Sequence, residues 1–284
     1  MRGRGSSRTA LAVAWLRAAH QCLDAAPRIL EDPLALRLLG ADSERLIREQ
    51  APRYQGDGMR ALRAHVVLRS RHAEERLREA VARGVRQYLL LGAGYDTFAL
   101  RQPPWARALR IVEVDHPASQ EAKRACLAAA GLAAPANLVH AAIDFEHEGL
   151  LAGLRRRGVD PGLPSFFSWL GVTMYLPGAA VAATLRDIAG CARGSELVLT
   201  FAARESPGSE AQALLSGMAQ RAAEGGEPWL SYFQPEEMEA LLRDCGFGRI
   251  DFLTPEQARA RYFDTRPADL PPPRRGTIVG AMLD

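Results

Sequence analysis

The stretch Gln87–Arg101, QYLLLGAGYDTFALR, decides the reading of this chain. Tyr88–Leu91 is a short apolar run with the composition of a buried strand, and it breaks at Gly92 into a glycine turn and then a polar helix start. Some 20 residues on, LRIVEVDHP gives a second strand over Leu109–Val114, with one acid inside it and one at its end. Strand, glycine loop, helix, strand, acid is a way to hold a nucleoside-containing ligand at the C-terminal edge of a parallel sheet. Gly92 and Gly94 let the backbone approach a ligand closely, and an acid after the second strand can accept from two ribose hydroxyls. The third glycine of the dinucleotide fingerprint is missing, because Asp96, Thr97 and Phe98 follow. Asp96 would repel a pyrophosphate but suit a ligand carrying an ammonium. A nucleoside with an amino-acid tail therefore fits better than a nicotinamide dinucleotide.

Outward from this stretch the pattern alternates. Helix Ala118–Ala130, strand Asn137–Val139, helix Leu150–Gly158, strand Ser165–Leu170, helix Ala179–Ala192 and strand Glu196–Phe201 follow in order. Helix Pro235–Cys245 and late strands Arg249–Leu253 and Thr277–Met282 complete the chain. This is the signature of an α/β fold, a mostly parallel sheet with helices on both faces. Before the first strand the chain reads as helix. Ser6, Ser7 or Thr9 caps a helix over about Ala10–Leu23, Asp32-Pro33 opens a short one, and Ser43–Arg83 is helical with Gly56 and Gly58 breaking it. The expected division is a helical cap over 1–84 and a sheet domain over 85–284. A polar, glycine-containing lid insertion is expected at about 204–234.

Glu113 and Asp115 are two apart and share one side of the sheet if the strand continues through them; one of them accepts from ribose. Asp144-Phe145 follows the third strand, where an acid can accept from an exocyclic amine and an aromatic can stack on a purine. Composition adds exclusions. With 36 Lys+Arg against 33 Asp+Glu, the net charge of +3 gives no footprint for a nucleic-acid partner. Cys22, Cys126, Cys191 and Cys245 lie far apart without paired spacing, so no metal site is read, and buried thiols in a reducing compartment are expected. Arg17 interrupts the apolar run after the basic N-terminus too early for a membrane span, so a soluble cytoplasmic protein with no membrane partner is expected. Oligomeric state is not readable.

LLLGAGYDTFALR, VEVDHP with Lys123 beyond it, and SFFSWLGVTMYLP together resemble the leucine carboxyl methyltransferase-like group of class I S-adenosylmethionine-dependent methyltransferases, in its bacterial subgroup. The resemblance extends over about residues 6–283, from SSRTALAVAWLRA onward. It implies a Rossmann-like sheet, S-adenosyl-L-methionine as cofactor, and methylation of a carboxylate on a small, acidic molecule or natural product. It implies that Gly92 and Gly94 lie beside the methionine part, Arg69 grips the cofactor's carboxylate, Asp115 holds the ribose, and Asp144 and Phe145 flank the adenine. Arg101 matches a recurrent arginine after the loop, and Ser7-Arg8-Thr9 a segment closing over the cofactor. Protein-phosphatase members carry a glutamate after the fourth strand where this chain has Leu170. That departure removes a contact to the cofactor's amino group and argues against a phosphatase tail as substrate. A hydroxyl acceptor is the alternative and would want a base, for which His72 and His116 are the candidates by position. A catalytically inactive binding protein is the non-enzyme alternative. Tyr175, Tyr232, Tyr262 and Arg266 are candidate substrate residues, arginine because its fork matches carboxylate geometry.

Overall fold

The computed structural model describes residues 7–143, 149–205 and 208–284. Five helices come first: α1 (Arg8–Leu23), α2 (Leu34–Leu39), α3 (Ser43–Glu49), α4 (Ala51–Gln55) and α5 (Asp57–Ala82). The sheet region then runs β1 (Gln87–Leu91), α6 (Phe98–Arg101), β2 (Arg110–Asp115), α7 (Pro117–Ala129), β3 (Leu138–Ala142), α8 (Leu150–Arg156), β4 (Ser165–Trp169), α9 (Gly178–Ala189) and β5 (Glu196–Thr200). It ends with α10 (Glu210–Glu224), α11 (Pro235–Asp244), β6 (Arg249–Phe252), α12 (Pro255–Tyr262) and β7 (Ile278–Met282). The expected strands are all present within a few residues, the helix expected after the glycine loop is the one-turn α6, and α12 was not expected. Ser7 caps α1 by accepting from the Ala10 N–H at 3.0 Å. Gly56 separates α4 from α5, but Gly58 lies inside α5 and does not break it.

The seven strands order as β3-β2-β1-β4-β5-β7-β6. The first five are parallel, and β7 runs antiparallel between β5 and β6. Chain order reverses between β1 and β4, so a crevice opens there at the strand C-termini, where open α/β sheets bind their ligands. Period-two alternation sorts the core. Leu89, Leu91, Val112, Phe167, Trp169 and Leu197 face one layer with α8, α9 and α11. Tyr88, Leu90, Ile111, Phe166 and Val198 face the other, against Ala64, Leu68, Ala73 and Leu77 of α5. Thus α5 is itself one of the sheet's covering helices, and the N-terminal segment shares a core with the sheet. The reason is its stripe of small and branched apolar residues, which is buried for more than three turns.

Arg17 of α1 ties the remaining cap to the sheet. Its side chain is 6% exposed and lies 2.8 Å from Asp32 and 2.6 Å from Asp96 on the loop after β1. Thr97 also donates to Asp32, at 2.7 Å, and Arg101 bonds Thr97 and Glu74. Asp32 was expected to cap a helix. Its side chain accepts no hydrogen bond from the N–H groups at the start of α2 but serves this network instead, with Pro33 at the helix start. Burial alone would raise the Asp96 carboxyl, but Arg17, Arg101 and Lys123 outweigh it and hold the group well below the usual range.

Removing one partner of a buried ionic cluster leaves the others unpaired, which costs about 3–5 kcal/mol. Arg17→Met is therefore expected to lower unfolding free energy by ~3–5 kcal/mol in urea titrations, since Asp32 and Asp96 lose their guanidinium. Arg243→Met, which removes only the exposed pair with Glu239, should leave the midpoint nearly unmoved.

Candidate functional site

The loop after β1 is shaped by two glycines with positive φ, +67° at Gly92 and +50° at Gly94. The N–H groups of Gly92 and Ala93 both donate to the Val114 carbonyl, at 2.8 and 3.1 Å, which folds the loop back across β2. Added side chains have no room: a Cβ at Gly92 would lie 2.3 Å from Val172. The Gly94 N–H donates to Asp115 Oδ2 at 2.6 Å, and the His116 N–H donates to Asp115 Oδ1 at 2.7 Å. One acid thereby locks the loop to the tip of β2. Each carboxylate oxygen keeps acceptor capacity, because an ionised carboxylate offers about four lone-pair sites. Burial raises the Asp115 carboxyl, and the two backbone N–H bonds oppose that shift.

Glu113 and Asp115 have separate roles. Glu113 is 2% exposed and paired with Lys123 at 2.7 Å, so it serves the packing of α7 on β2. Asp115 lines the crevice.

That crevice is a cavity of about 510 Å³, within the size usual for small-molecule sites. Its floor includes Gly92, Gly94 and Asp115, and one wall holds Arg69, Ser168, Leu170 and Gly171. Its roof comes from both ends of the chain: Ser7–Ala10 at the start of α1 and Gly225–Pro228 just past α10. The Thr9 N–H donates to Glu227 Oε2 at 2.9 Å and joins the two halves of the roof. The lid insertion expected at about 204–234 thus contains the 15-residue α10, and its end covers the site.

Arg69 is the unusual group. It is 9% exposed, its buried Nε has no hydrogen-bond partner, and no ion pair engages it among the described residues. Burial pushes its pKa down to about 10 against the pull of Tyr175, with Arg17 adding to the depression. It therefore remains charged at neutral pH. Its guanidinium lies against Gly171, whose φ is +73°; a Cβ there would stand 2.5 Å from Nη1. A buried, unpaired cation is costly unless a ligand supplies the anion. With the spare acceptor capacity of Asp115 at the tip of β2, the pair would suit an anion at one end of a ligand and hydrogen-bond donors at the other.

The other sequence candidates distribute unevenly. Tyr175 and His116 line the cavity. His116 Nδ1 accepts from the Ala118 N–H at 3.3 Å as the cap of α7. His72, Tyr262, Tyr232 and Arg266 do not line it. The Tyr262 hydroxyl donates to Glu75 at 2.5 Å and lies 3.1 Å from His72 Nδ1, so α5 and α12 consume both side chains. Tyr232 packs on Trp229 with ring centroids 6.0 Å apart. Arg266 donates to the Pro27 and Ala25 carbonyls and pairs with Asp269. Asp144 and Phe145 lie outside the described residues. The alternation missed Arg17, Ser168 and Glu227, because their roles depend on contacts between distant segments.

Sheet order, switch point and this cavity place the chain among the class I S-adenosylmethionine-dependent methyltransferases. The comparisons narrow the class. The family model "Leucine carboxyl methyltransferase" matches residues 10–189, and the chain belongs to that family. It is 31% identical over 294 residues to the Bacillus subtilis (strain 168) protein named "Putative S-adenosyl-L-methionine-dependent methyltransferase YktD", covering 95% of each chain. A DUF574 family protein from Streptomyces avermitilis shares the fold with a TM-score of 0.57 at 14% identity, over 96% of this chain and 97% of that one. A "putative methyltransferase" from Thermobifida fusca YX does so with a TM-score of 0.55 at 22% identity, over 87% of this chain and 92% of that one.

Two substitutions test the site through S-adenosylhomocysteine binding measured by calorimetry. Asp115→Ala is expected to weaken binding by about 1–3 kcal/mol, because ribose donors lose their acceptor in a half-buried site. Gly171→Ala should weaken it comparably without touching the nucleoside, because the new methyl displaces Arg69; unchanged affinity in a folded variant would refute the arginine's placement.

Proposed function

We propose that this methyltransferase acts on the oxygen of a small acid, forming a methyl ester. When bound, S-adenosyl-L-methionine supplies an electrophilic methyl group. The chain's own residues fit that cofactor: Arg69 would hold its carboxylate, Asp115 its ribose, and the Gly92–Gly94 loop would admit it without side-chain obstruction. The roof joined by Thr9 and Glu227 covers part of the cavity, and desolvation beneath it would favour attack by an acceptor anion.

One observation carries the choice of a carboxylate. Every described acid that lines the cavity is already engaged: Asp96 by Arg17, Asp115 by two backbone N–H groups, and Glu227 by Thr9. His72 is turned to Tyr262 and its burial pushes its pKa down to about 4. A carboxylate acceptor is already ionised and needs only approach and desolvation, whereas a hydroxyl needs a base. His116 favours the second reading, an alcohol or phenol acceptor. It lines the cavity, and capping of α7 through Nδ1 leaves Nε2 available. Leu170 lines the wall where a glutamate would stand in the phosphatase enzymes, which supports a small molecule over a protein tail. Its apolar side chain also keeps a third reading open, a methyltransferase-like binding protein without turnover.

Incubation with labelled methyl donor and host metabolite extract, followed by mass spectrometry, separates these readings. The expected product loses its label in mild alkali, as an ester does. A base-stable product would overturn the carboxylate and favour the hydroxyl route through His116. Label on a protein C-terminus would overturn the small substrate, and cofactor binding without any labelled product would favour the binding protein.

A further inference from the structure

A second cavity lies between the start of α5 and α10, lined by Met59, Leu62, Leu214, Met218 and Arg221 among others, with a volume of about 190 Å³. That is small beside the roughly 300–1,000 Å³ of a complete ligand site, yet enough for one ring or a short chain, since a 150 Å³ apolar cavity admits benzene. Its size suits part of a ligand whose remainder sits elsewhere.

Both of its walls belong to segments that also line the main cavity. On α5, Leu62 lines the slot and Arg69 the cofactor cavity; on α10, Met218 lines the slot and Gly225, just beyond, the cavity roof. Each step is seven residues, about 10 Å of helix. The two helices thus carry the slot toward the cavity by the same distance on both sides. Their contact is close: a Cβ on Gly58 would lie 2.7 Å from the Leu214 Cδ1. His65 stands between Leu62 and Arg69 on that face, at the i+3 and i−4 positions. Burial, then Arg69, push its pKa down to about 3, so it is uncharged at neutral pH, and the charged groups nearby are Arg221 in the slot lining and Arg69 in the cavity wall.

Exposure agrees. Four large apolar side chains are exposed among the described residues: Leu11, Leu163, Leu214 and Leu230. Leu214 lines the slot, and Leu230 lines the main cavity. Two of the four therefore belong to the linings of the two cavities.

We propose that this slot is an acceptor subsite that receives the apolar body of the substrate, so that the substrate is a carboxylic acid with an extended hydrocarbon tail. The carboxylate end lies in the main cavity and the tail passes His65 to Met59, Leu62, Leu214 and Met218. Methionine suits such a wall because its unbranched, polarisable side chain adapts to tails of different shape. The assignment of the carboxylate rests on the methyl-ester reading above. The slot itself does not, because its occupancy is measured by binding.

Decanoate and acetate serve as probes with the protein saturated in S-adenosylhomocysteine. Decanoate is expected to bind at least tenfold more tightly than acetate. Met218→Trp and Leu62→Trp, which fill the slot from opposite walls, should each remove that preference while leaving the affinity for S-adenosylhomocysteine unchanged. Equal binding of the two acids by the unaltered protein would overturn the subsite. So would a decanoate preference that survives both tryptophans in folded proteins, or a slot found closed by a second copy of the chain in sedimentation, with Met218→Trp releasing monomer. Decanoate binding that obeys the slot variants but yields no methyl ester would sustain the subsite and defeat only the carboxylate chemistry.

Discussion

A guanidinium with no anion among the described residues sits at the centre of this structure. Arg69 is held nine-tenths buried in the wall of the cavity, with an unsatisfied Nε and no acidic partner among the described residues. A protein that had only to fold would gain by replacing such a group, since an unpaired buried charge costs several kcal/mol, on the order of the 3–5 lost when a buried pair is broken. The surroundings accommodate it instead. Gly171 has the positive φ and missing side chain that let the guanidinium lie flat against the turn after β4. An anion brought by a ligand would remove the cost, which turns stored instability into binding.

The rest of the architecture fixes where that ligand can lie. Loop and acid are one unit, because Asp115 receives N–H groups from both Gly94 and His116. Cap and loop are joined through the buried Arg17–Asp32–Asp96 cluster, with Thr97 and Arg101 bound into it. α1 and the glycine loop are therefore held together by charge pairs that cannot be exchanged for water without loss. On the opposite side, the Thr9–Glu227 bond is a single contact in a half-buried place. The site has a rigid floor and a roof held by much less, which suits a ligand that must enter and leave.

The sheet was legible because buried parallel strands are short apolar runs bounded by glycine and polar residues, as QYLLL before Gly92 and SFFSW before Leu170 show. The junction of Asp115 with the two-glycine loop was legible for a related reason: it is local to the strand ends. Glu113 could not be separated from Asp115 by position, because both lie on the same strand phase; only the pairing of Lys123 from α7 distinguishes them. Tyr262 and Arg266 show the opposite case. An aromatic and a cation late in the chain looked like lining for a mouth, yet the contacts that consume them come from α5 and from residues 25–27, hundreds of positions away in sequence. Such pairings have no periodic signature. α12 was missed because its stripe is only two buried residues wide, Ala258 and Tyr262. Among the described residues no helix is long and apolar enough to cross a membrane.

The central claim is that Arg69 is reserved for the carboxylate of the cofactor's amino-acid tail. Binding of S-adenosylhomocysteine and of 5′-methylthioadenosine, which lacks that tail, should be measured on the unaltered protein and on Arg69→Met. The account predicts that the substitution weakens S-adenosylhomocysteine by at least tenfold and leaves 5′-methylthioadenosine unchanged. Equal loss for both ligands, or no loss for either in a folded variant, would contradict it.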